Sequence, residues 1–427
     1  MSDIFSDLTW RGLIHQTTDD QHLPKWLQSG SRTLYAGFDP TADTLHVGSF
    51  VPIMTLRRFQ KAGHRPIALV GGATGMIGDP SGKSEERNLL DRDQLARNVE
   101  GIGNVLKRFL DFDGPNGAVL VNNFDWMSGF SYLDFLRDVG KHFPVNVMLG
   151  KDSVKNRLSG DSGISYTEFS YMLLQAYDFL HLKRTYGCDL QIGGSDQWGN
   201  ITAGIDLTRR MVPGTQLYGL TCPLLLKSDG TKMGKTERGA IWLTADRTSP
   251  YAFYQYWVNL GDIDAGRALR VLTELPHEEI ESLDVSRDRE PHLRKSQKRL
   301  AEWLTQLVHG DSGLAAAQRA TEIFFGAEIV NLDDAALGEI FADVPSKEIP
   351  REKLSGTGLV LIDALVEAGL CKTKSDARRL IDQGGAAVNN RVRSGTDTAL
   401  TEADLASQSI LVLRSGKKKY ALLKFVS

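Results

Sequence analysis

No apolar run in the chain approaches the ~20 residues a membrane helix needs, so no membrane partner is expected. The start of the chain, with Asp3, Asp7, Asp19 and Asp20, offers neither a secretory apolar core nor an Arg-rich transit pattern. Cysteine is scarce: Cys188, Cys222 and Cys371 stand alone, without metal-ligand spacing. A reduced, cytoplasmic setting with no structural zinc or other bound metal is therefore the expectation. Hydrolytic signatures are missing too. There is no Ser-His-Asp order and no His-Glu-x-x-His helix, and Gly193-Gly-Ser195-Asp-Gln197 has Gln where a nucleophile elbow needs its last Gly. The Gly-rich segment from Gly71 to Ser84 is not a phosphate loop, because Ile77 stands five positions before Gly82, where the Walker spacing requires Gly.

What is present describes a large globular protein. The 427 residues allow two to four domains, and 41% hydrophobic with 24% charged residues is ordinary globular composition. The net charge of −3 hides an asymmetry. Residues 351–427 hold 13 Lys and Arg against 8 Asp and Glu, so the preceding body is acidic. A basic terminal module on such a body points to a polyanionic partner held at one end.

Two stretches organise the reading. The first is Phe38-Asp-Pro-Thr-Ala-Asp-Thr-Leu-His46-Val-Gly48-Ser49. A strand over 33–38 leads into it, Asp39-Pro40-Thr41 turns the chain, and a helix is predicted from near His46 towards Gly63. Backbone N–H groups at a helix start favour phosphate, and Gly48 lets a flat nucleotide approach. Alone, this is ordinary α/β scaffolding. The second stretch is Lys232-Met-Gly-Lys235-Thr236, in a loop rich in Gly, Lys and Ser.

Between and beyond them, apolar runs at 66–70, 118–122, 189–192 and 221–225 read as buried strands alternating with helices. That pattern predicts a doubly wound, Rossmann-like parallel sheet with its ligand at the strand carboxyl ends. A helix over 165–182 puts Tyr171, Gln175 and Asp178 on one face. They could be surface residues, but Asp178 among Tyr177, Phe179 and Leu180 would be costly without a specific partner, such as a ligand hydroxyl. Asp196, just past a strand, is placed for ribose hydroxyls. The Arg209-Arg210 pair reads first as a solvated helix end. The last module predicts two short helices, 359–369 and 375–383 with Ser375 as N-cap, then a terminal hairpin.

The two stretches together resemble the His-Ile-Gly-His and Lys-Met-Ser-Lys-Ser signatures of the class I aminoacyl-tRNA synthetases, and their surroundings resemble the bacterial-type tyrosyl-tRNA synthetases over essentially the whole chain. The resemblance implies a tyrosine–tRNA ligase that activates L-tyrosine with ATP and Mg²⁺, without a prosthetic group, and transfers it to tRNA(Tyr). It implies that Thr41, His46, Lys232, Lys235 and Thr236 are catalytic. Asp39, His46, Gly48, Ser49, Gly194, Asp196 and Lys235 would face ATP. Asp79, Tyr171 and Gln175 would hold the tyrosine ammonium, Tyr35 and Asp178 its phenolic OH, and Gln191 and Gln197 the rest. For tRNA it implies Lys151, Lys155, Arg209 and Arg210 on the body, and Lys372, Lys374, Arg378, Arg379, Lys417, Lys418 and Lys419 in a small module like a ribosomal protein's. The implied domains are a catalytic one at 1–236 with a homodimer-forming insertion at about 123–188, a helical anticodon-side domain at 237–325, a linker at 326–355 and the RNA module at 356–427. Two positions depart from the signatures: Ser49 stands for the second His and Gly234 for the first Ser. The readings weighed against this one are a tryptophan-specific relative and a non-catalytic RNA-binding protein. Tyr35 with Asp178, and both retained lysines, oppose them.

Overall fold

The apolar runs enter one sheet. The computed structural model describes residues 3–81, 90–159, 163–236, 239–329, 332–341 and 344–426. Gly82, Lys83 and Ser84, the end of the rejected phosphate-loop segment, lie outside the described residues. The chain divides into two units, Met1–Arg247 with Trp257–Val308, and Thr248–Tyr256 with His309–Ser427.

The first unit is built on six strands: β1 (Gln16–Thr17), β2 (Thr33–Phe38), β3 (Arg65–Val70), β4 (Val119–Asn122), β5 (Leu190–Gly194) and β6 (Tyr218–Cys222). Their order is β1-β6-β5-β2-β3-β4, parallel except for the edge strand β1. All of Pro66 to Val70 is buried, which is why this run shows no polar alternation. The order reverses between β2 and β5. Connections leave those neighbours to opposite sides, and a crevice opens at their carboxyl ends.

At the start of the chain, β1 separates the helices Ile4–Trp10 and Leu23–Gln28. Two expectations need correction here. The run expected at 221–225 pairs instead as Tyr218–Cys222, because Pro223 has no N–H to give a ladder. The helical middle domain is not a unit of its own: helices Asp262–Leu272 and His277–Arg289 cluster with the sheet, and residues after Val308 cluster with the second unit.

The long helix Tyr166–Tyr186 starts at Ser165, whose hydroxyl accepts from the Glu168 N–H, and ends at Gly187 in the left-handed conformation (φ 64°). It packs on Trp198–Met211, where Gly204 faces Ala176 and Phe179. Glu168 and Arg157 form a buried ion pair at 2.8 Å that fastens the helix Asp152–Leu158 to it. Among the described residues, no helix is long and apolar enough to cross a membrane.

The second unit holds a five-stranded sheet in the order Arg391–Val392, Ala386–Val388, Ile410–Ser415, Lys419–Val426, Ser346–Pro350. Residues 326–355 are thus not a linker. Ser346–Pro350 pairs parallel with Lys419–Val426, and Leu337, Ile340 and Phe341 cover one sheet face with Ala320 and Ile323. Leu411, Leu413, Leu423 and Phe425 pack into a core on the other face. A sheet covered on both sides explains the unbroken apolar run from Ile410 to Leu413. The turn between Val388 and Arg391 uses Asn389 and Asn390 at φ 49° and 66°, as a tight two-residue hairpin requires. The second short helix is Lys374–Asp382, and its cap is Thr373 rather than Ser375: the Thr373 hydroxyl accepts from the Asp376 N–H.

Candidate functional site

The crevice beyond β2 and β5 is a cavity of about 500 Å³. It gathers Tyr35, Asp39, His46, Gly48, Ser49, Asp79, Tyr171, Gln175, Asp178, Gln191, Gly194, Asp196, Gln197, Lys232 and Lys235 into one wall. These residues span 200 positions of sequence and come from β2 and β5, from the segments that follow β2, β3, β5 and β6, and from the helix Tyr166–Tyr186. Thr41 and Thr236 do not line it: both are exposed, and the Thr236 hydroxyl donates to the Gly239 carbonyl.

At the inner end, Asp178 is buried and accepts from Asn123 Nδ2 at 3.0 Å and from Trp126 Nε1 at 2.9 Å. Burial pushes its carboxyl up to about 7, with the two donors pulling the other way. Tyr35, buried beside it, is raised well above the ordinary phenol range by burial and then by the Asp178 charge. Its hydroxyl finds no partner among the described residues, and neither do Gln175 Oε1 and Gln191 Oε1. Three buried polar atoms lining one cavity suit a small polar ligand better than an apolar one.

The middle is acidic. Tyr171 donates to Asp39 Oδ2 at 2.9 Å, and Thr74 donates to Asp39 Oδ1 at 2.8 Å. Gln175 donates to Gln197, which donates in turn to Asp79 Oδ2 at 2.7 Å. Asp196 is raised by burial and then by the nearby Asp79. Carboxylates held this close favour a cation between them.

The outer end carries the two signatures. Helix does not begin at His46 directly: His46 caps a short turn, Val47–Ser49, and the α-helix is Phe50–Lys61. His46 Nδ1 accepts from the Gly48 N–H at 2.9 Å, which fixes the orientation of the ring. A side chain at Gly48 would fall 2.5 Å from that ring. Beside it, Ile241 ties the two signatures together: its N–H donates to the Gly234 carbonyl at 2.8 Å, and its carbonyl accepts from the Val47 N–H at 2.9 Å. Gly234 sits at φ 84°, and a Cβ there would meet Val47 at 2.6 Å. The departure from Ser thus matches a left-handed backbone pressed onto the first signature. Lys232 and Lys235 flank this contact and are exposed.

The basic residues proposed for RNA divide. Lys155, Arg209 and Arg210 are exposed, whereas Lys151 turns inward, donating to Thr202 at 2.9 Å, its ammonium lowered by burial. In the second unit Lys372, Arg378, Lys417, Lys418 and Lys419 are exposed, while Lys374 pairs with Asp363 and Arg379 with Asp376.

Asn123, Trp126 and Thr74 were missed in the sequence. Asn123 follows a predicted strand end, a signal that could have found it. Trp126 lies 52 residues from Asp178, and nothing local announces that contact.

A family model described as tRNA synthetases class I (W and Y) matches residues 28–326, and one described as the tyrosine–tRNA ligase SYY-like C-terminal domain matches residues 337–423. The chain is 59% identical to the tyrosine–tRNA ligase of Rhodopirellula baltica over 99% of its own length and 96% of the relative's. It is 52% identical to that of Roseiflexus castenholzii over the full length of both. Among solved structures, a C-terminally truncated mitochondrial tyrosyl-tRNA synthetase from Aspergillus nidulans is similar at 31% identity and a TM-score of 0.69, covering 76% of this chain and 95% of that one. Identity of this extent, over a pocket assembled from both signatures, means that the chain belongs to the class I tRNA synthetases, in their tyrosine–tRNA ligase branch.

Proposed function

We propose that the crevice is where this chain joins L-tyrosine to ATP, the tyrosyl group then passing to tRNA(Tyr). The observation that carries the reading is the polar inner end: a buried carboxylate beside a tyrosine hydroxyl with no partner among the described residues, closed by aromatic and aliphatic walls. A phenol fits there, receiving a hydrogen bond from Tyr35 and donating one to Asp178. The acidic middle holds the ammonium, with Asp79, Tyr171 and Gln175 facing it and Gln191 and Gln197 beside the carboxylate.

ATP, taken with its Mg²⁺, lies across Asp39, Gly48, Ser49, Gly194 and Asp196. The tyrosine carboxylate attacks the α-phosphorus, the bond to the bridging oxygen breaks, and pyrophosphate leaves with the electron pair. No proton transfer is needed, so catalysis is positioning plus donors for charge growing on the phosphates. His46, Lys232 and Lys235 are those donors. Thr41 and Thr236 lie outside the cavity lining, and the same task rests for them on the family resemblance alone.

The exposed apolar side chains Tyr132, Leu133, Val145, Val147 and Leu158, all in the insertion, support a homodimer. A cytoplasmic setting follows from the reaction proposed. ATP–pyrophosphate exchange with each of the twenty amino acids tests the whole reading. Tyrosine should drive exchange far better than any other, without tRNA. Best exchange with tryptophan, or none, would refute it.

Among the described residues, the cavity lining runs from Tyr35 to Lys235. A chain ended at Gly326 should therefore still form tyrosyl-adenylate but charge tRNA poorly, having lost the basic module. A cut near Arg351 would be a worse test, because it strips Ser346–Pro350 of its sheet partner. Full-strength aminoacylation by the shortened chain at moderate salt would end this division of labour.

A further inference from the structure

The lysine loop is held from behind. Residues 225–233 form a narrow hairpin: the Met233 N–H donates to the Leu225 carbonyl at 2.9 Å, and the Lys227 N–H donates to the Thr231 carbonyl at 2.8 Å. Gly230 at φ 82° makes the tip. One stem of this hairpin is bonded to the helix Asp262–Leu272. The Ser228 N–H donates to Asp264 Oδ1 at 2.7 Å, the Ser228 hydroxyl faces Asp264 Oδ2 at 3.4 Å, and Arg267 Nη1 donates to the Leu226 carbonyl at 3.1 Å. Asp264 is only 5% exposed. A carboxylate that deeply placed, in the first turn of its helix, is favoured by the helix dipole and needs donors at its oxygens. The far end of the same helix is tied down as well. Arg11 donates to the Arg270, Thr273 and Leu275 carbonyls, and Arg58 donates to that of Thr273. The helix is thus a strut fixed at its carboxyl end, with Asp264 and Arg267 reaching forward to the hairpin.

We propose that Asp264, seconded by Arg267, is a positioning residue that fixes the 225–233 hairpin and so sets where Lys232 and Lys235 meet the phosphates of ATP. The idea rests on the lysine roles proposed above. Asp264 touches neither substrate; it acts through the Ser228 backbone. Releasing that N–H frees the hairpin stem, and the two ammonium groups then have to be gathered during each turnover. Tyrosine binding, at the inner end of the crevice, does not depend on the hairpin.

The test is single-turnover formation of tyrosyl-adenylate by the full chain, with tyrosine affinity measured separately. Asp264→Ala should lower the rate at saturating ATP by roughly 10–100-fold, the scale of a mispositioned reacting group. Tyrosine affinity should stay as it was. Asp264→Asn, which keeps an acceptor oxygen for the Ser228 N–H, should recover most of the rate. Arg267→Ala, at an exposed position, should show a smaller loss of the same kind and covers the case in which Asp264→Ala does not fold. Decisively, Asp264→Ala or Arg267→Ala placed on the double variant Lys232→Ala/Lys235→Ala should cost little more than that double variant alone, since all of them act through the same two ammonium groups. Losses that add in full, an equal loss of tyrosine affinity, or no loss in either variant would overturn the proposal. Failure of Lys235→Ala itself to slow the reaction would instead sink the lysine assignment beneath it.

Discussion

Lys235→Ala should slow tyrosyl-adenylate formation by roughly 10²–10³-fold at saturating substrates, the loss expected when one preorganised donor to a developing charge is removed. The lysine lies in the second signature, exposed at the outer end of the crevice, while the tyrosine end is formed by other elements. Its contact matures as the α-phosphorus loses pyrophosphate and charge collects on the leaving oxygens. An interaction stronger in the transition state than in the ground state appears in the rate and not in substrate affinity. Tyrosine binding to Lys235→Ala should accordingly match that of the unaltered chain. Single-turnover kinetics over a range of ATP concentrations separates the two. An unchanged rate would remove Lys235 from the mechanism, and a loss confined to ATP affinity would make it a ground-state contact.

Asp178→Ala should erase most of the preference for tyrosine over phenylalanine. The two amino acids differ by one hydroxyl, and an apolar slot alone separates them poorly. Phenylalanine is rejected when it leaves buried partners unpaired; tyrosine-selecting synthetases are themselves the best-known instance of this rule. The particular content here is the set of groups. Asp178 supplies an acceptor already oriented by Asn123 and Trp126, and Tyr35 supplies a buried hydroxyl with no partner among the described residues. Removing a charged partner costs tyrosine about 1.5–3 kcal/mol, whereas Tyr35→Phe, which removes a neutral one, costs about 0.5–1.5 kcal/mol. Phenylalanine gains nothing from either group, so the ratio of kcat/KM values in the exchange assay should fall in that order. A ratio that does not move in Tyr35→Phe would leave Tyr35 as packing.

The same carboxylate has a signature in stability. Asp178 is pushed up to about 7 in the folded chain, above the value of ~3.9 for an unfolded one. Between those limits the folded state holds a proton that the unfolded state gives up. Its contribution to stability is therefore complete below pH ~4 and is lost as pH rises through about 7. Asp178→Asn should flatten the dependence of Tm on pH across that window. An unaltered slope would mean that the carboxyl titrates normally.

Much of this site was legible before the fold was. The strand Thr33–Phe38, the turn at Asp39-Pro40 and the lysine signature are local features, set by φ restriction, buried apolar runs and residue order over a few positions. Those are properties a chain carries into any tertiary setting. The shared face of Tyr171, Gln175 and Asp178 follows from the helical period alone, and so did the suspicion that Asp178 needs a partner. The partners were beyond reach. Asn123 and Trp126 meet Asp178 only because β4 lies next to β3 in the sheet and the chain after it folds back on the long helix. Likewise, Ser346–Pro350 reads as a polar connector, and its pairing with Lys419–Val426 depends on parallel partners 76 residues away. Residue type and period determined the secondary elements and the chemistry on offer. Tertiary structure decided which buried groups are satisfied by the protein and which are left for a ligand, because desolvation acts on whatever is close in space, whatever its distance along the chain.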